Sequence, residues 1–205
     1  MKAQNMLVPD SDRLKYRLLD CSEADSELLW QLDQDPLVMK FITRGKTTTR
    51  AEMRDRFLPR LQAYRNPESG WGLWGVHSNP ADHFLGWILI RPMGFFDGER
   101  DDRNLEIGWR FHQSAWGKGY ATEAAHAVAA GLILNDHCDD LSAVALPENT
   151  ASIQVMKKLG LRYVNTTDHD DDDYGIYQLA RYSAAVREVR DAQRCFRTSR
   201  ENPMS

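Results

Sequence analysis

Residues 105–125 read LEIGWRFHQSAWGKGYATEAA: an alternating apolar run, a turn with two glycines, and a helical pattern that begins at once. No other feature constrains the fold as much. A strand that turns through Gly117 and Gly119 straight into a helix sets the first amides of that helix beside the strand's end. Glycine admits backbone conformations closed to other residues and lets a ligand come close. The opening amides of a helix have no partners within it, and the helix dipole favours negative charge there. Residues 117–122 are therefore suited to a pyrophosphate, with Lys118 adding a point charge; a plain tight turn is the other reading. Two phosphate motifs are excluded. A P-loop needs Gly-Lys followed by Ser or Thr, but Gly119 follows Lys118. The dinucleotide fingerprint needs a third glycine where Thr122 stands.

Around this segment the pattern predicts a mixed α/β domain. Residues 13–19 alternate as a first strand. Ser22 offers a helix cap, and Leu28, Leu29, Leu32 and Leu37 give a helical face reaching to about Pro36. The threonines at 47–49 can cap a second helix, in which Met53, Phe57, Leu61 and Tyr64 recur at helical spacing. Strand-like runs follow at 72–77, 84–90 and 105–112, with a charged turn at 97–103. After a helix at 120–135 come a strand at 141–146 and a helix at 150–159 stopped by Gly160. Strands at 162–166 and 174–180 and a charged helix at 183–197 close the chain. No repeat, low-complexity linker or domain boundary interrupts it. A single domain spanning 1–205 is expected, with its core at about 13–182.

Composition narrows the function. A formal charge of −4 leaves no global basic field for nucleic acid. The most apolar stretch, 120–134, is short and carries Thr122, Glu123 and His126, so no membrane span is expected. No signal peptide is evident, and three cysteines far apart (Cys21, Cys138, Cys195) suit free thiols in a reducing cytoplasm. The acidic run 168–173 lacks the glycine and glutamate that an EF-hand needs. A solvated turn between two strands is expected there, able to attract a cationic acceptor. The six histidines show no ligand spacing, so no metal is expected. Trp71, Trp74, Trp87 and Trp109 lie on or beside strands and suit core packing. Arg187, Arg190, Arg194, Arg197 and Arg200 recur at helical spacing: a solvated face, or a contact with an acidic partner or with a second subunit of a homodimer.

Taken together, WGKGYATEA at 116–124, PENTAS at 147–152 and KKLGLRY at 157–163 resemble the GNAT N-acetyltransferases, and within them the branch of ribosomal-protein N-terminal acetyltransferases. The resemblance covers roughly 13–182. It implies a twisted, mostly antiparallel sheet splayed at its centre, with helices on both faces and acetyl-coenzyme A as co-substrate. Trp109, Arg110 and Phe111 would offer backbone to the pantetheine arm. Gly117, Lys118, Gly119, Tyr120, Ala121 and Thr122 would hold the pyrophosphate, and Asn149 would touch the pantetheine. The acceptor would be an amine: a peptide N-terminus, a polyamine or a small amine.

Attack by an amine requires loss of its proton. Glu106 is the candidate base, acting through water; a hydrogen-bonded strand carboxylate is the alternative. The family's tyrosine proton donor falls at Met156, which cannot donate. The branch's serine falls at Ser152, a candidate donor or merely a helix-start hydroxyl. Met156 also leaves open a non-catalytic acyl-coenzyme A sensor or interaction module.

Overall fold

The computed structural model describes residues 5–136, 138–171 and 175–201, with the side chains of 170, 171, 175, 176 and 197–201 outside the description. In chain order β1 spans Leu14–Leu18, α1 Glu23–Leu32 and α2 Pro36–Met39. Ser22 caps α1, its side chain accepting from the Asp25 amide, and Asp35 caps α2 through the Leu37 amide. The predicted first helix is therefore two helices, the second opening at Pro36, where a missing N–H costs nothing. Next, α3 (Arg50–Glu52) opens with a capping box between Thr49 and Glu52. It runs through a π-helical turn, Met53–Phe57, into α4 (Leu58–Tyr64). The Leu58 amide reaches back to Met53 just ahead of Pro59, which has no N–H to continue the ordinary ladder.

The sheet strands follow: β2 (Gly72–Ser78), β3 (Phe84–Met93), β4 (Asp101–Phe111), β5 (Asp140–Ala145), β6 (Arg162–Asp171) and β7 (Gly175–Ala185). Three helices intervene or close the chain: α5 (Tyr120–Leu134), α6 (Thr150–Lys158) and α7 (Val186–Glu201). The order across the sheet is β1-β2-β3-β4-β5-β7-β6. Neighbours run antiparallel except β4 and β5, which are parallel. That one parallel pair is short: Asn104↔Asp140, Leu105↔Leu141 and Glu106↔Ser142. Beyond it the two strands part, and the sheet is open at its middle, as the resemblance implied.

Period-two alternation separates two cores. Ile88, Ile90, Leu105 and Ile107 pack with Val128 and Leu132 of α5 on one face. Leu73, Trp87 and Leu89 pack with Leu29, Leu32 and Leu61 of the N-terminal helices on the other.

Three boundaries differ from expectation. The charged turn is shorter than 97–103, because β4 already begins at Asp101. Asp168 to Asp171 are not a turn but the end of β6, paired with residues 178 to 175 of β7; Asp172, Asp173 and Tyr174 lie outside the described residues. Residues 183–185 belong to β7 rather than the last helix, because they pair with residues 142–140 of β5. In each case cross-strand partners override local propensity. Among the described residues no helix is long and apolar enough to cross a membrane.

Candidate active site

The site is built where β4 and β5 separate. The Arg103 carbonyl accepts from the Asp139 amide at 2.8 Å, towards β5, while the His112 amide donates to the Leu85 carbonyl at 2.9 Å, towards β3. An antiparallel ladder alternates its backbone direction at each residue. Ile107, Trp109 and Phe111 therefore turn their backbone groups into the gap. Arg110 does not: its backbone faces β3, opposite Trp87. Of the three residues expected to offer backbone there, only Trp109 and Phe111 have that direction. The Phe111 carbonyl already accepts from the Trp116 indole at 2.9 Å, leaving its amide for a ligand.

At the far end of the gap Gly117 and Gly119 have φ of +71° and +77°, and Gly119 is the N-cap of α5 without a side-chain cap. An ideal Cβ on Gly117 would meet nothing within 4 Å, so the requirement for glycine there is conformational. Tyr120, Ala121 and Thr122 form the first helical turn, whose amides have no carbonyl four residues back. The turn is braced from β1's approach. Arg13 donates to the Lys118 carbonyl at 3.2 Å and to Glu123 at 3.0 Å, and Ser11 donates to the other Glu123 oxygen at 2.7 Å. Arg13 neutralises the buried Glu123 carboxylate beneath the amides of the first turn of α5. Arg13, Lys118 and Lys158 border one shallow hollow beside Gly119. Sequence reading did not single out Arg13, because its partners lie more than a hundred residues away.

A cleft of about 1370 Å³ joins the gap to the N-terminal helices, lined among others by Glu106, Trp109, Asn149, Ser152 and Met156. Glu106 is 8% exposed and accepts from Arg91 Nε at 2.7 Å through Oε2. Its Oε1 has no partner among the described residues. The carboxylate is thus fixed at one oxygen and available at the other. Arg110 sends its side chain to the same face as Glu106, into a buried ion pair with Asp33, which also accepts from Thr48 at 2.8 Å. Tyr64 lines the cleft with no hydrogen-bond partner among the described residues. Burial pushes its phenol well above the ordinary value, so it stays a neutral donor. Asn149 caps α6, its Oδ1 accepting from the Ser152 amide at 3.2 Å, which leaves Nδ2 for a ligand. Ser152 is half-buried with its hydroxyl unpartnered among the described residues. Met156 is a core residue at 1% exposure.

Arg91, Tyr64 and Asp33 were not singled out from sequence. Arg91 was within reach, since it shares the period-two face of Trp87 and Leu89. Tyr64 carried the right helical spacing but reads as core. Asp33 carries no local signal, because its partners come from β4 and the segment before α3. Burial pushes the Cys138 thiol up to about 12, an inert core sulfur, and none of the three cysteines is in a disulfide.

A sheet parted at its middle, with a glycine turn and a helix N-terminus at the end of the gap, defines an open-sheet α/β protein. The family model described as "Acetyltransferase (GNAT) domain" matches residues 13–162. The chain belongs to the GNAT acetyltransferase family and is an N-acetyltransferase. It is similar to the uncharacterized N-acetyltransferase YnaD of Bacillus subtilis (strain 168), 39% identical over 140 residues, 67% of this chain and 74% of that one. Its fold is similar to a solved GNAT-family acetyltransferase from Bacillus anthracis, with a TM-score of 0.69, 26% identity, and 87% of this chain and 98% of that one covered. A spermidine N-acetyltransferase from Vibrio cholerae, solved with CoA and spermine, shares the fold at a TM-score of 0.67 and 12% identity, with 87% and 99% covered.

Proposed function

We propose that the protein transfers the acetyl group of acetyl-coenzyme A to a primary amine by direct attack in a ternary complex. One observation carries this reading: the gap between β4 and β5 opens into the same cleft that holds the unused oxygen of Glu106. The pantetheine arm of acetyl-coenzyme A would pair with backbone at Trp109 and Phe111, with the pyrophosphate on the amides of residues 117–122. An amide aimed at the thioester oxygen would stabilise the developing oxyanion by about 3 kcal/mol. The amine nitrogen attacks the carbonyl carbon and its proton passes through water to Glu106 Oε1. The C–S bond breaks; the leaving thiolate accepts a hydrogen bond from the Ser152 hydroxyl and takes its proton from solvent water relayed through that hydroxyl, so that Ser152 ends protonated. Cysteines outside any disulfide support a reducing, cytoplasmic setting.

A second reading is favoured by Met156: a thioether buried where the family's tyrosine falls leaves a binding module without a donor there. Turnover of acetyl-coenzyme A with a panel of amines separates the two. Tight binding without turnover on any amine would overturn catalysis. Ser152→Ala tests the donor. Loss of one hydrogen bond to a charged leaving group is worth about 1.5 kcal/mol, roughly tenfold in kcat, with acetyl-coenzyme A affinity unchanged. Equal kcat for variant and parent would leave Ser152 a helix-start residue.

A further inference from the structure

Between β3 and β4, Phe96 packs edge-on against Tyr64 and Phe95, with centroids at 6.2 and 4.9 Å. Two arginines meet at its ring. The guanidinium carbon of Arg60 lies 3.7 Å from the Phe96 centroid and that of Arg91 lies 5.6 Å from it. Both side chains line the cleft. Arg91 gives only its Nε to Glu106, and its two outer nitrogens have no partner among the described residues. Arg60 has no ion pair among the described residues; Asp97 acts on it only from a distance. Partial burial, then repulsion from Arg91 and Arg56, hold the Arg60 guanidinium below the usual arginine range. Two like charges with unused donors around one ring repel one another until an anion arrives. A carboxylate matches the guanidinium fork, accepting two parallel N–H bonds.

We infer that Arg60 and Arg91 bind a carboxylate carried by the acceptor, which is therefore a small, amino-acid-like amine and not a polyamine. The inference rests on the acetyl-transfer reading above. Arg91 links the two ends of such an acceptor. Its inner nitrogen fixes Glu106, beside which the amine is deprotonated, and its outer nitrogens reach the carboxylate. Amine and carboxylate are then only a few bonds apart. A polyamine would bring further positive charge to the arginines, and a plain amine would leave their donors unpaired.

The test is initial-rate kinetics with matched acceptors: leucine against isoamylamine, phenylalanine against phenethylamine, and spermidine. The parent should favour the carboxylate-bearing member of each pair by about tenfold or more in kcat/KM, with spermidine poorer still. Arg60→Ala should raise KM for leucine and phenylalanine much more than for their plain amines, with kcat less affected. Arg60→Lys, which keeps the charge but not the fork, should fall between. Equal use of both members, a preference for spermidine, or an unchanged preference in Arg60→Ala would overturn the carboxylate site while leaving acetyl transfer standing. Should no amine be turned over, the acetyl-transfer reading fails. Calorimetric titration of leucine into the acetyl-coenzyme A-loaded protein then decides the carboxylate site alone. Binding that Arg60→Ala weakens supports it, and no binding, or equal binding by the variant, overturns it.

Discussion

Glu106→Gln is expected to slow acetyl transfer by about a hundredfold or more at neutral pH, the usual scale for a positioned base. The amide keeps the side chain's shape and can still accept from Arg91 Nε, whose bond to Oε2 is 2.7 Å in the parent. What is lost is the second oxygen as a proton acceptor. The sign of the pH dependence follows from the acceptor. An ammonium cannot attack, so the parent's advantage is greatest where the amine is protonated and shrinks as pH rises and free amine accumulates. Arg91 also loses its counter-charge, and breaking a largely buried pair costs about 3–5 kcal/mol at most. Rates must therefore be compared well below the variant's unfolding temperature. A pH–rate profile that overlays the parent's would remove Glu106 as base and assign it to holding Arg91.

Gly119→Val should weaken acetyl-coenzyme A binding by about a hundredfold or more while the domain remains folded. At φ +77° a β-branched residue is strained by roughly 1–3 kcal/mol, and the turn can relieve this only by rotating its amides. Those amides are the proposed phosphate ligands, each charge-assisted bond being worth about 1.5–3 kcal/mol. The protein itself leaves room, since a Cβ on Gly119 would approach nothing closer than Arg13 at 3.8 Å. A loss of affinity with native circular dichroism thus reports on the turn and not on a core clash. Calorimetric titration that finds parent-like affinity would show that the pyrophosphate lies elsewhere.

Much of the fold was legible in the chain because its signals are local. The strand-like runs at 84–90 and 105–112, a threonine cap within 47–49 and the stop at Gly160 are all read within a few residues, and the structure keeps them. The end of β6 was misread because an aspartate run carries poor strand propensity, and the end of β7 because Ser183 to Ala185 run on into a helical pattern; only pairing with the neighbouring strand holds each extended. In the candidate site the glycine turn was visible for the same local reason. Its bracing by Arg13 was not, because that contact joins distant parts of the chain.

By itself, the sequence determined the strand-turn-helix unit, the two periodicities that set the faces of the sheet, and the absence of a proton-donating side chain at Met156. Each depends on residue type and on spacing along the chain. The tertiary structure decided which backbone groups of β4 face the gap, since that follows from its pairing with β3 on one side and from its brief contact with β5 on the other. It also decided that Glu106 is half-engaged by Arg91, and that Arg60 and Arg91 meet at Phe96. Charges from α4, β3 and β4 acquire a common electrostatic field only when the sheet and its helices close over one cleft.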